Sequence, residues 1–304
     1  MTDPVPTLII LAGPTAVGKT SLAIDLARNL STEIISCDSR QFYRELNIGV
    51  ARPSEEELRA VPHHMIGFLP VTRHYNAYRF ETDVLALCHR LFRRTNRLIM
   101  AGGSGLYIHA VAHGIDELPD PDPALRQKLK EDLEVQGIEA LQQQLKKLDP
   151  GYFGEVDRNN PKRLLRALEI CLSTGRSYSS LRTGKPVPRP FRIVKIGLQT
   201  DRQSLYTRIN QRVDRMMEQG LLDEVRSLLP FKELNALNTV GYKELFAFID
   251  GYWSLEEAVE KIKTNTRRYA KRQLTWLRKD PDIRWFEIDQ LVEIQNYIEK
   301  KMIR

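Results

Sequence analysis

The chain has 304 residues, of which 42% are hydrophobic and 28% are charged, and its 46 Lys and Arg residues outnumber its 39 Asp and Glu residues. This length can bury a large core in one elaborated domain or in two. No apolar run approaches the ~20 residues of a membrane span, and the N-terminal residues lack the charged-then-apolar pattern of a signal peptide. We therefore expect a protein without a membrane anchor or a secretory leader.

The three cysteines, Cys37, Cys88 and Cys171, are scattered and form no C-x-x-C pair. Such spacing is typical of a protein in the reducing cytosol and does not match a zinc cluster. We therefore predict a cytoplasmic protein. A monomer satisfies every feature of the sequence, and nothing indicates an obligate protein partner.

The first element in chain order is a phosphate-binding loop. Residues 7–12 (TLIILA) predict a buried strand, and Leu22, Leu26 and Leu30 recur at the spacing of one helix face. Between them lies the pattern G-x-x-x-x-G-K-T, formed by Gly13, Pro14, Thr15, Ala16, Val17, Gly18, Lys19 and Thr20. Backbone N–H groups of such a loop converge on an anion, Lys19 reaches the phosphate oxygens, and the Thr20 hydroxyl binds Mg²⁺. The pattern predicts a polyphosphate site without saying which polyphosphate.

Two further predicted strands end in polar segments. Residues 33–37 (EIISC) precede Asp38-Ser39-Arg40-Gln41, and residues 97–101 (RLIMA) precede Gly102-Gly103-Ser104-Gly105. Strands that alternate with helices predict a parallel sheet, whose ligands bind beyond the carboxyl ends of the strands. We therefore expect Asp38 and Ser104 near the phosphate loop. Taken alone, Asp38 fits a helix cap or turn residue better than a catalytic base, and an outer-sphere Mg²⁺ ligand is a third possibility.

The composition changes after residue 118, where the run Pro-Asp-Pro-Asp-Pro predicts a break. Helices are predicted at 125–136 and 138–148, parted by Gly137, and a third begins at Asn160-Pro161. Residues 174–190 are polar and rich in Gly, Ser and Pro. We therefore predict a helical insertion at 119–190 between two parts of the α/β core, 1–118 and 191–304.

The last third predicts a strand at 192–198, helices at 202–229 and 255–278, and a final strand at 283–288. Within it, residues 261–279 carry eight Lys or Arg and no Asp or Glu. Like charges side by side on a helix cost stability unless an anion lies against them, so this segment favours contact with phosphates over a merely solvated face. Trp276 falls on the predicted inner stripe of this helix and is expected to be a packing residue.

Six motifs now stand in order: GPTAVGKT, SCDSRQFYRELNIGVARP, GGSGLY, NNPKRLLRALEI, VGYKE and TRRYAKRQLTWLR. Together they cover nearly the whole chain and resemble the bacterial tRNA dimethylallyltransferases, also called tRNA isopentenyltransferases. The resemblance implies a P-loop NTPase-like parallel sheet flanked by helices, with a mostly helical insertion domain. It also implies transfer of the dimethylallyl group of dimethylallyl diphosphate to the exocyclic amine of the adenine just 3′ of the tRNA anticodon.

The resemblance implies a role for each catalytic residue. The phosphate loop holds dimethylallyl diphosphate instead of ATP, with Thr15 and Arg267 also contacting the diphosphate, and Mg²⁺ is the expected cofactor. Asp38 matches the general base that takes a proton from the adenine amine during attack. Whether ATP binds at all is left open by the sequence.

The resemblance also implies a surface for the tRNA anticodon stem-loop. Its expected residues are Asp38, Ser39, Arg40, Gln41, Ser104, Arg126, Lys162, Arg163, Arg166, Gly241, Tyr242, Lys243, Lys271, Arg272 and Arg278. The chain departs from the family pattern at two positions: Ser104 stands where threonine is usual, and Arg268 stands where glutamine is common. The first change keeps the hydroxyl, and the second leaves the role of Arg268 open.

Two other classes of protein carry similar features. A nucleotide or metabolite kinase uses the same loop but closes arginines over ATP. A non-catalytic RNA-binding module would retain a vestigial loop, which an intact Gly18-Lys19-Thr20 together with Asp38 disfavours. ATP turnover separates the first class from a prenyltransferase, and tRNA binding without prenyl transfer would identify the second.

Overall fold

A computed structural model describes residues 5–120 and 122–303. Within these residues, a sheet of six parallel strands has the order β3-β2-β4-β1-β5-β6. The strands are β1 (Thr7–Ala12), β2 (Ile34–Cys37), β3 (His63–His64), β4 (Arg97–Gly102), β5 (Arg192–Gln199) and β6 (Arg284–Glu287). The α-helices are α1 (Lys19–Asn29), α2 (Glu55–Ala60), α3 (Ala77–Leu91), α4 (Gly105–His113), α5 (Pro123–Leu148), α6 (Pro150–Glu155), α7 (Pro161–Thr174), α8 (Tyr178–Leu181), α9 (Arg202–Glu218), α10 (Leu221–Ser227), α11 (Tyr242–Ile249), α12 (Leu255–Leu277) and α13 (Leu291–Ile303). The predicted parallel α/β fold is confirmed.

The central strand is β1, and every one of its residues is buried. It pairs with β4 on one side and with β5 on the other, so Leu8 lies between Leu98 and Ile193. A strand covered on both faces needs apolar side chains in both directions, which explains the unbroken apolar run of its sequence. Apolar clusters cover the sheet, one drawing on α3 and α4 and another on α1, α9 and α13.

Residues 114–187 form a compact unit of their own, and the remaining described residues form the other. The smaller unit packs α5 and α7 around a core that includes Leu141, Leu145 and Leu164. Gly137 interrupts α5 with φ of 78°, a backbone conformation that favours glycine. The range Pro123–Leu148 therefore contains two helical segments that meet at a kink at Gly137, as predicted. Asn160 caps α7, as its position before Pro161 predicts, because its side chain accepts from the backbone N–H of Arg163.

Strand and helix limits differ from the predicted ones by a few residues. The helix expected at 202–229 is divided, since Gly220 takes φ of 94° between α9 and α10. None of the described helices combines the length and the apolar character that a membrane crossing requires.

Candidate active site

A cavity of about 1100 Å³ opens beyond the carboxyl ends of the strands, within the larger unit. Its wall includes the phosphate loop after β1, Asp38 and Gln41 after β2, and Gly103 after β4. Parallel strands bring their carboxyl ends to one edge of the sheet, so residues far apart in sequence meet here. The expected proximity of Asp38 to the phosphate loop is confirmed.

The phosphate loop has two residues in the left-handed backbone region, Ala16 with φ of 64° and Gly18 with φ of 106°. Alternating right- and left-handed residues turn successive N–H groups toward one point, which forms an anion-binding concavity. Gly18 then caps the N-terminus of α1, where the helix dipole adds partial positive charge. Because Ala16 has a side chain, its conformation carries strain that a well-packed loop must offset.

Lys19 and Thr20 form the first turn of α1, and both line the cavity. The Lys19 ammonium donates a hydrogen bond to the carbonyl of Pro14 at 2.7 Å. Burial, together with the nearby Arg212 guanidinium, lowers the pKa of Lys19 to about 7, against an opposing contribution from Asp38. An anion bound in the loop would favour the charged form of Lys19 again.

Three arginines on α9 line the same cavity: Arg208, Arg212 and Arg215. Arg212 donates to the Thr15 hydroxyl at 3.1 Å, and Arg208 donates to the carbonyl of Val17 at 3.2 Å. Burial lowers the pKa of Arg212, whereas Asp38 opposes this shift. Sequence reasoning missed these residues, although their spacing of four and three residues places them on one helix face and could have revealed them.

Asp38 lies between the phosphate loop and the segment after β4. One of its carboxylate oxygens accepts the backbone N–H of Arg40 at 2.9 Å. The next residue, Ser39, donates its backbone N–H to the Ser104 hydroxyl at 3.1 Å. Tyr269 of α12 also hydrogen-bonds Ser104, and burial of its ring raises the pKa of the Tyr269 hydroxyl. The structure thus brings Asp38, Ser39 and Ser104 together, as predicted.

The side chains of Arg40 and Gln41 are committed to contacts with the protein. The Arg40 guanidinium donates to the carbonyls of Asn235 and Ala236, at 2.8 and 3.2 Å. The Gln41 amide donates to the carbonyls of Val50 and Ala51, at 3.2 and 3.0 Å. Gln41 therefore holds part of the cavity wall in place, whereas Arg40 anchors the segment after Asp38 to residues 235–236.

Gln273 is another residue that sequence reasoning did not place in the site. It is only 7% exposed, and its amide joins two loops. Its oxygen accepts the backbone N–H of Thr15 at 2.8 Å, and its nitrogen donates to the carbonyl of Gly103 at 2.9 Å. A Cβ on Gly103 would lie 2.2 Å from the Gln273 amide nitrogen, so this approach requires glycine. Helix α12 is thereby tied to the phosphate loop and to the loop after β4.

The opposite face of α12 is exposed and basic. Lys271, Arg272 and Arg278 all lie on the surface, as the run of like charges predicted. The Arg272 guanidinium lies 5.8 Å from the centre of the Tyr269 ring, and the Tyr269 hydroxyl hydrogen-bonds Ser104. The helix therefore presents cations to solvent beside the segment that follows Asp38.

Comparisons with known proteins agree with this geometry. The family model described as IPP transferase matches residues 41–280. A tRNA dimethylallyltransferase 1 of Bacteroides thetaiotaomicron is 50% identical over 293 residues, which span 96% of this chain and 95% of that protein. This chain belongs to the tRNA dimethylallyltransferase family.

Solved structures of the family share the fold. The crystal structure of a full-length tRNA isopentenylpyrophosphate transferase from Bacillus halodurans has a TM-score of 0.73 and 38% identity, with 98% of this chain and 97% of that chain covered. A eukaryotic dimethylallyltransferase described as acting on tRNA has a TM-score of 0.74 and 25% identity, with coverage of 98% and 78%. The P-loop NTPase-like core expected from the sequence is thereby confirmed.

Two of the residues expected from the family resemblance lie elsewhere than predicted. The Arg267 guanidinium donates to the side chains of Asn210 and Thr264, at 2.7 and 2.8 Å, and does not line the cavity. The cation that contacts Thr15 is Arg212. The geometry therefore favours Arg212 over Arg267 as the arginine beside the diphosphate.

The segment Gly241-Tyr242-Lys243 divides between core and surface. The Tyr242 side chain is fully buried, and its hydroxyl donates to the Glu224 carboxylate at 2.6 Å. Its predicted contact with tRNA is therefore wrong for the side chain, because a ring enclosed in the core cannot reach RNA. Gly241 has φ of 98° and is buried, whereas Lys243 is exposed.

The four basic residues predicted in the smaller unit have different surroundings. Arg126 pairs with the buried carboxylate of Glu169, and Arg166 donates to the same carboxylate at 3.5 Å. Lys162 and Arg163, in the first turn of α7, are exposed. The first pair thus helps to neutralise a buried acid, and the second pair is open to an anionic partner.

Proposed function

We propose that this protein transfers the dimethylallyl group of dimethylallyl diphosphate to the exocyclic N6 amine of the adenine 3′-adjacent to the tRNA anticodon. The products are isopentenyladenosine in the tRNA and diphosphate. The observation that supports this most strongly is a single cavity that holds an anion-binding loop, partly buried cations and the Asp38 carboxylate. Membership of the tRNA dimethylallyltransferase family selects the reaction from those that such a cavity allows.

The donor half of the site stabilises the leaving group. The bond between the allylic carbon and its oxygen breaks as negative charge develops on diphosphate. The phosphate loop, Lys19 and Arg212 line the cavity, and their N–H groups, ammonium and guanidinium would stabilise that charge. Thr15 is oriented from two sides, by Arg212 on its hydroxyl and by Gln273 on its backbone N–H.

The residues present fit a magnesium ion that arrives with the substrate. The Thr20 hydroxyl is a hard oxygen donor that lines the cavity. The described residues contain no group of three or more His, Cys, Asp or Glu side chains arranged to hold a metal. This suits Mg²⁺, which is commonly held by one or two protein oxygens and by substrate phosphates. When bound, the ion would neutralise charge on the leaving diphosphate.

The acceptor half supplies a base and holds the nucleotide. The lone pair of the adenine amine is delocalised into the ring, so removal of a proton during attack assists the reaction. Asp38 would accept this proton, because its carboxylate is oriented by the Arg40 N–H within the cavity. The target base must leave its stack to reach Asp38. Ser39, Arg40, Gln41 and Ser104 would shape the opening that receives it.

The tRNA surface is proposed for each unit separately. In the larger unit it consists of Lys243 and the exposed cations Lys271, Arg272 and Arg278. In the helical insertion, 119–190, it consists of the exposed Lys162 and Arg163, together with Arg126 and Arg166, which pair with Glu169. Phosphate contacts of this kind position RNA without reading its sequence. The cysteine usage and the tRNA substrate together favour the cytoplasm as the location.

The decisive experiment incubates the purified protein with unmodified tRNA, dimethylallyl diphosphate and Mg²⁺, and analyses the nucleosides by mass spectrometry. We expect one prenylated adenosine per substrate tRNA, located next to the anticodon. ATP should be neither required nor hydrolysed. ATP hydrolysis coupled to product, or a phosphorylated product, would instead indicate a kinase.

A further inference from the structure

Trp276 lies on the surface of the protein, although its helical spacing predicts a packing residue. Its neighbours on the inner stripe, Ile262 and Gln273, are 2% and 7% exposed, whereas Trp276 is 44% exposed. The inward position at this level of α12 is filled by Leu277, which is 2% exposed, and the adjacent Trp276 is left at the surface. A large indole left in water must be explained by something other than the core.

The indole lies beside the acceptor half of the site. A Cβ on Gly105 would lie 2.1 Å from its Cδ1 atom and 2.5 Å from its Nε1 atom, so only glycine allows the ring to rest there. Gly105 follows Ser104, whose hydroxyl accepts the backbone N–H of Ser39. The ring is therefore held by the loop that also contacts the segment after Asp38.

A shallow cavity of about 330 Å³ surrounds the indole and is lined by Lys271, Arg272, Thr275, Trp276 and Lys279. Three of these five residues are cations, and none of the five is acidic. An aromatic face within a positively charged groove is the arrangement by which proteins bind single-stranded nucleic acid, with bases stacked on the ring and phosphates near the cations. A protein partner of ordinary composition would meet this charge less well.

We propose that Trp276 is a stacking platform for an unpaired RNA base next to the adenine that enters the cavity. This inference rests on the proposed function, since it takes RNA as the acceptor substrate. Extrusion of one base leaves its neighbours without a stacking partner on one side. The indole stacks on one such neighbour, and Lys271, Arg272 and Lys279 hold the adjoining phosphates.

The test measures binding of the full-length protein to a fluorescent anticodon stem-loop, without prenyl donor, over a range of salt concentrations. Loss of one aromatic stacking contact corresponds to about 1–3 kcal/mol, which is about 5- to 150-fold in affinity. We expect Trp276→Ala to lose affinity in this range. The slope of log affinity against log salt concentration, called the salt slope below, should stay unchanged. Trp276→Phe should retain most of the affinity, and Lys271→Gln should change the slope.

Two controls accompany these variants. Tyr252 is 77% exposed and lies far along the chain from the site loops, so Tyr252→Ala should bind like the wild type. RNA should quench tryptophan fluorescence in the wild type, and this quenching should be smaller in Trp276→Phe, which keeps Trp253 and Trp285, although RNA still binds. The Phe variant keeps an aromatic ring on Gly105, so it tests the proposal even if Trp276→Ala does not fold.

Other outcomes would overturn the proposal in recognisable ways. Wild-type affinity in Trp276→Ala, or quenching in Trp276→Phe as large as in the wild type, would show that no base stacks on the ring. Concentration-dependent dimers that Trp276→Ala abolishes would identify the surface as an interface between two copies. Prenyl transfer by the wild type is measured in the same preparations. Stacking without transfer would refute only the proposed function, and transfer without stacking would refute only this inference.

Discussion

Two basic helices of the larger unit, α9 and α12, pack against each other and differ in what their cations contact. On α9, Arg208 and Arg212 hydrogen-bond the phosphate loop inside the cavity. On α12, Lys271 and Arg272 face solvent, and the residue that reaches the phosphate loop is the neutral Gln273. The dense positive charge of α12 thus suits a large polyanion. Helix α9 carries fewer cations, and the ones that contact the phosphate loop are partly buried, which suits a small anion.

The difference follows from solvation. An exposed cation gains little from one phosphate because water and salt screen it, so an RNA surface needs many cations. A partly buried cation interacts more strongly with an anion, because less water screens the pair. Two or three arginines therefore suffice beside diphosphate, and each should matter more to the reaction than any single cation of α12.

The largest effect is expected at Asp38, which lies between these two regions. Asp38→Asn keeps an oxygen for the Arg40 N–H and removes the base. We expect the single-turnover rate to fall by about 10²–10⁴-fold, the usual contribution of general-base assistance. Affinity for tRNA and for the prenyl donor, measured separately by titration, should stay nearly unchanged. A normal rate combined with weakened tRNA binding would remove Asp38 from the catalytic step.

The next effect concerns the inward-facing arginine of α9. Arg212→Gln should lower the transfer rate by about 10²–10³-fold, since it removes a donor aimed at developing negative charge. Its salt slope for tRNA binding should equal that of the wild type. Arg226→Gln on the neighbouring α10 is the control, because Arg226 is exposed and pairs only with Asp223 among the described residues. The same measurement on Arg267→Gln tests the assignment. If Arg267→Gln lowers the transfer rate more than Arg212→Gln does, then Arg267 is the residue that contacts the diphosphate.

A smaller effect is expected from pH. Lys19 has a pKa lowered to about 7 in the free protein, and bound diphosphate favours its charged form. Binding must then take up a proton above pH 7, so affinity for diphosphate should fall as pH rises, by at most about tenfold per pH unit. Isothermal titration in buffers of different ionisation enthalpy measures this proton uptake directly.

Lys19→Met is the control for that measurement. Methionine does not titrate, so the pH dependence of diphosphate binding that remains in this variant comes from the diphosphate. The difference between wild type and Lys19→Met isolates the lysine. Equal pH dependence in the two proteins would mean that Lys19 stays charged throughout and that the cavity is wetter than its geometry indicates.

The smallest effects belong to the outward-facing helix. Lys271→Gln, Arg272→Gln and Arg278→Gln should each reduce the salt slope of tRNA binding by about 0.7, the value for one phosphate contact on a single strand. Each should weaken all tRNAs alike, because phosphate contacts carry no sequence information. Identical slopes in the wild type and all three variants would show that the helix is only a solvated face.

Much of the donor site could be predicted from the sequence because its determinants are local. The pattern from Gly13 to Thr20 specifies a loop between a buried strand and a helix, and the structure contains both. The buried run of β1 and the spacing of Leu22 and Leu26 in α1 are equally local signals. The edge strand β3 was missed, since two residues are too few for any periodicity.

The misplaced residues share a different cause. Arg212, Gln273 and Tyr242 reach their partners across the sheet or between helices, and no spacing along the chain encodes those partners. Tyr242 shows this clearly: within VGYKE it resembles a surface recognition residue, yet its ring is enclosed and its hydroxyl bonds Glu224. Burial depends on the whole packing, so a motif alone cannot decide which of its residues point outward.

The sequence by itself determined the parallel α/β fold, the phosphate loop, the placement of Asp38 at the same edge of the sheet and the basic character of α12. These follow from local propensity, from hydrophobic periodicity and from the rule that parallel strands end together. Only the tertiary structure decided that Arg212 contacts Thr15, that Gln273 joins two loops and that Trp276 is exposed. The reason is that helix rotation and depth are fixed by contacts between distant segments, and the direction of each side chain follows from them.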